Sequence, residues 1–458
     1  MSRYSLKELL SAKPIGERVE VCGWIKSQRK SKSFNFLILN DGTTQFDLQV
    51  IVDAGLDRFD DIDKLGVGSA LRITGDLVAS QGKQDFELQA KEVIIEGASA
   101  DDYPLQKKGT SMEFLREVAH IRPRTNTFGA VFRVRHALAM ATHRFFDERG
   151  YFYVNTPLLT AMDAEGAGEL FQVTTLNLDK IRDAKKVPWE EDYFGKQAFL
   201  CVTGQLEAEA FASSLSKVYT FGPTFRSENS NTPRHLSEFW MIEPEVCFAD
   251  LNDVAKLGSD YIQYMIKYAL ETCPLEIEFL NKFIDKGLTE RLKKVASTAF
   301  EKITYTGAIE ILKNSKKKFE YPVEWGLDLQ TEHERFLTDE YFDGPVIVTD
   351  YPKEIKSFYM KQNDDGKTVG AMDILVPGVG EIIGGSQRED DYDKLVSRMN
   401  ELNLDLELYK WYLDLRRYGT TKHAGFGLGF ERAVMYVTGM KNIRDVIPFH
   451  RTPGSIAF

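Results

Sequence analysis

The sequence predicts an α+β protein with more than one domain. Its 458 residues exceed the usual length of a single domain, and 43% of them are hydrophobic, which is enough for globular cores. Short alternating segments early in the chain are typical of strands, whereas later segments mix strands with helical periodicity. We expect a small β-barrel domain at 1–103, a hinge at 104–125, and an α+β domain at 126–458 with a helical elaboration around 252–318.

Charge and cysteine content narrow the class of protein. The net charge of -11 argues against a generally basic nucleic-acid coat protein, so any RNA contact would depend on local basic patches. The four cysteines are scattered without the paired spacing of a zinc site or a disulfide framework. The chain begins without an apolar segment of signal-peptide length, and no later run is long enough to span a bilayer. We therefore expect a cytoplasmic protein with no membrane partner.

The first domain contains about five predicted strands. They lie at 19–25, 34–39, 46–52, 70–74 and 86–95. Their number and length suit a five-stranded Greek-key barrel of the OB-fold type. Spacing alone leaves any other small β-barrel open.

A charged hairpin is the most unusual feature of the second domain. Residues 217–221 and 239–246 are predicted as its two strands, with a polar turn between them. Charged side chains are costly to bury unless they are paired, so this hairpin should line a polar cavity. Its groups suit a nucleotide, with phosphate on Arg226, adenine stacked on Phe239 and the adenine amino group held by Glu228. A surface hairpin with solvated ion pairs is the alternative.

Three segments together resemble the signatures of a known family. The pattern Arg-x-Glu at 226–228, followed by His-x-x-x-Phe-x-x-x-Glu at 235–243, resembles motif 2 of the class II aminoacyl-tRNA synthetases. Segments 149–157 and 425–432 resemble motifs 1 and 3, in the order that the family has them. Three ordered motifs are far more specific than one. The resemblance implies an antiparallel catalytic sheet of six or seven strands flanked by helices, and a homodimer formed through motif 1.

The resemblance also implies an ATP site. Its residues would be Arg226, Glu228, His235, Phe239, Glu381 and Arg432. No side-chain nucleophile is needed, because catalysis would consist of positioning and of charge neutralisation by Arg226 and Arg432. Asp373 and Glu381 lie on adjacent predicted strands and are natural ligands for Mg²⁺, which prefers hard oxygen donors.

Similarity to subclass IIb of this family implies the amino-acid site. Its residues would be Glu165, Gln205, Glu209, Glu243 and Arg388. Glu165 would hold the α-ammonium group, and Arg388 would contact the side chain of the substrate. Gln205 and Glu209 are one helical turn apart and would share a face.

The choice of amino acid depends on charge, because asparagine and aspartate are nearly the same size. Aspartate-using members of the subclass resemble one another in having a lysine three residues after the substrate glutamine, and this chain has Ala208 there. We expect Arg388 to donate to the amide oxygen of L-asparagine and Glu209 to accept from its nitrogen, directly or through water, with tRNA(Asn) as the second substrate. An aspartate-using member is the runner-up. A synthetase-like amide synthetase or an RNA-binding regulator that no longer aminoacylates is a third, more remote interpretation.

A second functional face is predicted on the barrel. Arg29, Phe36 and Gln49 provide a cation, an aromatic ring and an amide, which proteins use to stack and read unpaired bases. Without the family resemblance, Phe36 would be a core residue. The similarity to subclass IIb instead implies that these three residues contact the anticodon.

Overall fold

A computed structural model of the chain describes residues 2–82, 84–105, 110–162, 170–182 and 186–458. Two units, Met1–Arg133 and Val134–Phe458, each make most of their contacts internally. Glu165, the predicted ligand of the α-ammonium group, lies outside the described residues.

The first unit is built on a closed barrel. Its strands are β1 (Ser2–Arg3), β2 (Arg18–Lys30), β3 (Phe34–Asn40), β4 (Leu48–Asp53), β5 (Ala70–Ala79) and β6 (Phe86–Gly97). The strand order is β1-β2-β3-β4-β6-β5, and β5 pairs back with β2, which closes five long strands into a barrel. The five predicted strands are thus confirmed, and the two-residue β1 is an addition that was not predicted.

Alternation along the strands explains the core of the barrel. Inward positions such as Val21, Leu37 and Val50 are fully buried, while their sequence neighbours face outward. The helices of this unit are α1 (Leu6–Ala12), α2 (Phe59–Asp63), α3 (Met112–Glu117) and the beginning of α4 (Asn126–Asp147). Helix α1 begins with a capping box, in which Ser5 Oγ accepts from the Glu8 amide and the Glu8 carboxylate accepts from the Ser5 amide.

The second unit contains two sheets. Its strands are β7 (Phe152–Tyr153), β8 (Leu159–Thr160), β9 (Gln172–Val173), β10 (Ala198–Leu200), β11 (Lys217–Phe225), β12 (Glu238–Cys247), β13 (Glu301–Thr304), β14 (Val346–Pro352), β15 (Thr368–Val376), β16 (Gly380–Gln387) and β17 (His423–Gly429). The large sheet has the order β13-β14-β15-β16-β17-β12-β11-β7, and a small one has the order β8-β10-β9. Six central strands of the large sheet are antiparallel, as expected. The short edge strands β7 and β13 each pair in parallel with the neighbouring strand. With them the large sheet has eight strands.

Helices cover the large sheet. They are α5 (Leu178–Ile181), α6 (Gln205–Leu215), α7 (Leu251–Thr272), α8 (Pro274–Phe283), α9 (Leu288–Ser297), α10 (Tyr305–Asn314), α11 (Thr331–Arg335), α12 (Tyr392–Glu401), α13 (Lys410–Arg417) and α14 (Phe430–Thr438). Helix α7 approaches the sheet closely at Gly258, where a Cβ atom would lie 2.7 Å from Ile374 Cδ1. Within the part of the chain that the structure describes, no helix is long and apolar enough to cross a membrane.

The region around 252–318, for which a helical elaboration is predicted, contains helices and one strand. Four helices, α7 to α10, occupy this region, but Glu301–Thr304 forms an edge strand beside Val346–Thr349. Four residues are too few for a clear periodicity, and their pairing partner lies more than forty residues away in sequence, so only the tertiary structure reveals the strand.

Candidate active site

The charged hairpin forms where it was predicted, with longer strands. Strands β11 and β12 pair from Lys217↔Val246 to Phe225↔Glu238. The Arg226 amide then donates to Ser237 O over 3.0 Å, which continues the ladder into the turn. Alternation places Phe239, Met241, Glu243 and Glu245 on one face of β12.

A cavity of about 190 Å³, here called the hairpin cavity, opens beside this hairpin. Its lining includes all six predicted ATP residues, namely Arg226, Glu228, His235, Phe239, Glu381 and Arg432. Gly427 and Gly429 of β17 line the same cavity, so the backbone of the motif 3 segment is open to a ligand there. The residues come from the hairpin, β16, β17 and α14, so the fold assembles the site from segments that are far apart in sequence.

Three arginines, three glutamates and an aromatic face line this cavity. The Arg226 guanidinium carbon lies 5.5 Å from the centre of the Phe239 ring. Arg432 donates to the Glu381 carboxylate over 3.2 Å. His235 is held by the hydroxyls of Ser230 and Thr232, and burial lowers its pKa while the Glu228 carboxylate opposes that shift. At neutral pH His235 is therefore predominantly neutral and serves as a hydrogen-bonding group.

A group of carboxylates lies next to Arg432. Asp373 on β15 and Glu381 on β16 converge above Gly384, where a Cβ atom would lie 3.2 Å from Glu381 Oε1 and 3.5 Å from Asp373 Oδ1. Glu334 accepts from the Glu381 amide over 3.1 Å, and Lys356 donates to Asp373 over 3.1 Å. Neither Glu334 nor Lys356 was predicted, because no motif marks them and both reach the site from other elements.

Burial and mutual repulsion shift these carboxyl groups. Burial, reinforced by the Glu381 charge, raises the pKa of Glu334 to about 8. Burial also raises the pKa of Asp373, although Lys356 opposes the shift. For Glu381 burial acts upward, but Arg432 and Lys356 outweigh it and the pKa is lowered.

The donor set fits a magnesium ion that is shared with a substrate. Two carboxylates converge over the space that the glycine leaves, and Mg²⁺ is commonly held by one or two carboxylates plus substrate phosphates. The described residues contain no group of three or more His, Cys, Asp or Glu side chains that could hold a metal ion. Phosphate oxygens or water would therefore have to complete the coordination around Asp373 and Glu381.

A second polar cluster, here called the buried cluster, lies farther along the same strands. Glu209 is only 1% exposed, and its carboxylate accepts from Tyr412 OH over 2.9 Å and from Arg416 over 3.0 Å. Gln205 Nε2 donates to the same carboxylate over 3.1 Å, and His423 Nε2 lies 3.0 Å from it. Glu209 thus has its acceptor positions occupied by protein groups.

Arg388 and Glu245 form the other half of the buried cluster. Arg388 donates to both carboxylate oxygens of Glu245, through Nε over 3.2 Å and through Nη2, and its Nη1 donates to Ser386 Oγ over 2.7 Å. A Cβ atom at position 425 would lie 2.3 Å from Glu245 Oε1, so only glycine leaves room for this carboxylate. Gln205, Glu209 and Arg388 are therefore brought together as predicted.

The pKa values of the two carboxyl groups in the buried cluster are shifted in opposite directions. Burial acts to raise the pKa of Glu209, but the Arg416 charge and the His423 hydrogen bond outweigh it and the pKa is lowered. Burial raises the pKa of Glu245 to about 7, with Arg388 opposing and Glu209 adding to the rise. When both carboxyl groups are ionised, Glu209 and Glu245 balance Arg388 and Arg416, so these four side chains provide no surplus cation.

Glu243, predicted as an amino-acid ligand, makes a different set of contacts. Its carboxylate accepts from the Gly204 amide over 3.0 Å and from Thr220 Oγ1 over 2.9 Å, and also from the Thr203 hydroxyl. Gly204 is the N-cap of α6, so Glu243 stabilises the end of the helix that carries Gln205 and Glu209. This contact makes Glu243 a positioning residue.

The three predicted anticodon residues lie on one outer face of the barrel. Arg29 of β2 pairs with Phe36 of β3, and Gln49 of β4 pairs with Ile38 of β3. Phe36 is half-buried and packs edge-to-face against Phe34 with ring centres 4.8 Å apart. The interpretation of Phe36 as a core residue is wrong, because its neighbours Leu37 and Asn35 are the residues that point inward.

Comparisons with known proteins identify the family of this chain. Residues 111–453 match the family model described as tRNA synthetases class II (D, K and N), and residues 19–96 match the OB-fold nucleic acid binding domain. The chain is 56% identical to the asparagine–tRNA ligase of Clostridium tetani over 100% of both chains, and 57% identical to that of Acetivibrio thermocellus over 97% of both. It also resembles the crystal structure of asparaginyl-tRNA synthetase from Pyrococcus horikoshii complexed with asparaginyl-adenylate, with a TM-score of 0.85 and 36% identity over 97% of both chains.

Proposed function

The chain belongs to the class II tRNA synthetases of the D, K and N group, and we infer that it is an asparagine–tRNA ligase. It uses ATP to convert L-asparagine to asparaginyl-adenylate and transfers the asparaginyl group to tRNA(Asn). The observation that carries the choice of amino acid is the buried cluster, whose paired charges suit a neutral amide. The full-length likeness to asparagine–tRNA ligases supports the same choice.

Activation proceeds by direct displacement. A carboxylate oxygen of asparagine attacks the α-phosphorus of ATP, the bond from that phosphorus to the bridging oxygen of the β-phosphate breaks, and pyrophosphate leaves. Arg226 and Arg432 neutralise the charge that develops on the phosphates, and the Phe239 ring stacks on adenine. The hairpin cavity thereby holds the two reactants in line, which supplies much of the rate enhancement.

Transfer follows in the same site. A terminal ribose hydroxyl of tRNA attacks the carbonyl carbon of the adenylate, AMP leaves, and the hydroxyl proton passes to the departing phosphate or to solvent. No protein side chain forms a covalent bond in either step. Glu165, as the ligand of the α-ammonium group, keeps the amino acid oriented through both steps.

Selectivity follows from the charges around the side chain. Glu245 already pairs with Arg388, and Arg416 with Glu209, so an aspartate carboxylate would enter without a compensating cation. Ala208, which is fully buried, provides no positive charge. The amide of asparagine carries no charge and avoids this cost.

Asp373 and Glu381 would hold Mg²⁺ together with triphosphate oxygens, and the ion would supply charge neutralisation and orientation of the phosphates. Lys356, which donates to Asp373, orients that carboxylate. Arg432 does the same for Glu381.

The barrel face reads the anticodon in this proposal. Arg29 is exposed and Phe36 is half-buried. The side-chain amide of Gln49 donates to the Glu87 carboxylate over 2.8 Å. An aromatic platform flanked by a cation and an amide is suited to unpaired bases. The match of residues 19–96 to a nucleic-acid-binding fold supports this assignment.

A homodimer formed through the motif 1 segment completes the proposal, with the protein acting in the cytoplasm. Phe152 and Tyr153 of this segment are exposed apolar side chains, and so are Leu158 and Leu159, which directly follow it. Apolar side chains concentrated on a surface in this way are typical of an interface. Sedimentation of Leu158→Asp should show a shift toward monomer, and an unchanged dimer would place the interface elsewhere.

Amino-acid-dependent ATP–pyrophosphate exchange tests the function directly. Asparagine should support exchange and tRNA charging with an efficiency at least about a thousandfold above that of aspartate. Equal efficiency with the two amino acids would favour the aspartate-using alternative. Exchange without tRNA charging would favour the non-aminoacylating one.

A further inference from the structure

A second cavity adjoins the hairpin cavity and has no role in the proposal so far. It measures about 470 Å³ and shares Arg234, Arg432 and Ile443 with the hairpin cavity. Its other charged lining residues are Asp285, Arg291, Arg335 and Lys441. We call it the basic cavity.

Cations outnumber anions in this lining by five to one. Two of these cations share the single anion Asp285, which accepts from Arg291 over 2.6 Å and lies 3.3 Å from Lys441. Arg234, which stands between the two cavities, donates to the neutral hydroxyl of Thr331 and forms no ion pair among the described residues. Positive charge in excess of its protein partners indicates an anionic ligand.

The backbone at the end of α14 comes close to Asp285, and both line the basic cavity. Helix α14 ends at Gly439 with φ +72, and a Cβ atom there would lie 2.6 Å from Asp285 Cβ. Glycine therefore lets the end of α14 meet Asp285, which in turn orients Arg291 and Lys441 toward the cavity.

Arg432 links a carboxylate to the basic cavity. It donates to Glu381 over 3.2 Å and also lines the basic cavity. Pyrophosphate that has parted from the α-phosphate is a small polyanion. It is repelled by the ionised carboxylate of Glu381 and attracted toward the guanidinium and ammonium groups of the basic cavity.

We propose that the basic cavity binds the pyrophosphate released by adenylate formation and is its route out of the active site. This inference rests on the proposed function, because that reaction generates the ligand. Arg234 and Arg432 mark the entrance, and Arg335 and Lys441 lie beyond the hairpin cavity, which they do not line. Substitutions of Arg335 and Lys441 therefore test the binding of pyrophosphate separately from the binding of ATP.

The test compares two double variants that are matched in charge and exposure. Arg335→Met/Lys441→Met removes two cations of the basic cavity, whose side chains are 52% and 76% exposed. Arg417→Met/Lys256→Met is the control, with side chains that are also 52% and 76% exposed and also paired to an aspartate. Both variants change the net charge equally, so a general electrostatic effect would appear in both.

Three quantities are measured on the full-length protein, with pyrophosphate as the probe. They are the KM for ATP in adenylate formation, the KM for pyrophosphate in the reverse reaction on preformed adenylate, and the inhibition constant of added pyrophosphate. We expect the cavity variant to raise both pyrophosphate constants about five- to tenfold, with the KM for ATP within twofold of wild type. The control variant should leave all three unchanged.

Each contrary outcome has a separate meaning. Pyrophosphate constants that match the control would overturn the inference, and so would a KM for ATP that rises in parallel, since the cavity would then be part of the ATP site. Failure of the wild-type protein to form adenylate with asparagine would instead overturn the proposed function.

Discussion

The buried cluster and the outer face of the barrel both present a cation and an amide, but they hold them in opposite ways. In the buried cluster, Arg388 is 2% exposed and Glu209 is 1% exposed, and each is fixed by several hydrogen bonds. On the barrel, Arg29 is exposed and Phe36 is half-buried. Recognition of one small amide requires preorganised groups in a dry site, whereas recognition of bases in a large RNA uses surface groups that order on binding.

This comparison predicts that changes in the buried cluster affect stability as well as chemistry. Arg416→Met would remove the closest cation of the buried Glu209 carboxylate and leave Arg388 at 3.9 Å, and we expect it to lower the free energy of unfolding by about 3–5 kcal/mol. Urea titration measures the loss. The matched control is Arg417→Met, because Arg417 is the next residue and its side chain is 52% exposed.

A double variant sharpens this prediction. Glu209→Gln/Arg416→Met removes both charges of the pair and should cost clearly less stability than Arg416→Met by itself. Additive losses would mean that the two side chains do not depend on one another.

Selectivity should fall when the buried carboxylate is neutralised. Glu209→Gln removes the repulsion that an aspartate carboxylate meets, so the preference for asparagine, roughly 10³-fold in the parent, should drop by at least about tenfold. Pyrophosphate exchange with each amino acid gives the ratio. An unchanged ratio would contradict the role given to Glu209.

Loss of a cation from the hairpin cavity should affect the chemical step while leaving the fold intact. Arg226→Ala should cost about 3 kcal/mol or more in adenylate formation, because Arg226 meets charge that develops in the transition state. Single-turnover measurements isolate this step, and sedimentation checks the oligomeric state. A near-normal rate would remove Arg226 from the mechanism.

The raised pKa of Glu334 predicts a pH dependence of stability. Its folded pKa of about 8 exceeds the unfolded value of 4.5, so the protonated form is favoured in the folded state. Stability from this group is present below pH 4.5 and is lost as the pH rises toward about 8. Glu334→Gln should reduce the loss of unfolding free energy between pH 5 and pH 8 by about 2–4 kcal/mol relative to wild type. The same change of unfolding free energy with pH in both proteins would contradict the raised pKa of Glu334.

The barrel face should show the smallest and most selective effect. Phe36→Ala should lower the efficiency of tRNA charging by about 1–3 kcal/mol through lost stacking, with no effect on adenylate formation. Its neighbour Phe34 loses the same ring contact when it is replaced by alanine, so Phe34→Ala separates packing from base recognition. Equal damage to charging and activation would mark Phe36 as structural.

Local pattern accounts for much of what could be predicted about the site. The hairpin strands and the alternation of β12 follow from short segments whose spacing is visible in the chain, and the resemblance to family motifs predicts the six residues of the hairpin cavity. Ion-pair partners do not follow in this way. Arg416 lies 207 residues from Glu209, and Arg388 lies 143 residues from Glu245, so no local pattern could join them.

The sequence by itself determined the strand alternation, the charged hairpin, the order of the three motifs and the residues available for chemistry. Only the tertiary structure decided which carboxylates are paired, which of them have a raised pKa, and that a basic cavity adjoins the hairpin cavity. The physical reason is that secondary structure and side-chain direction depend on near neighbours along the chain, whereas desolvation and Coulomb interaction depend on distance in space. Glu243 illustrates the difference, because its motif predicts a ligand while its contacts make it the anchor of helix α6.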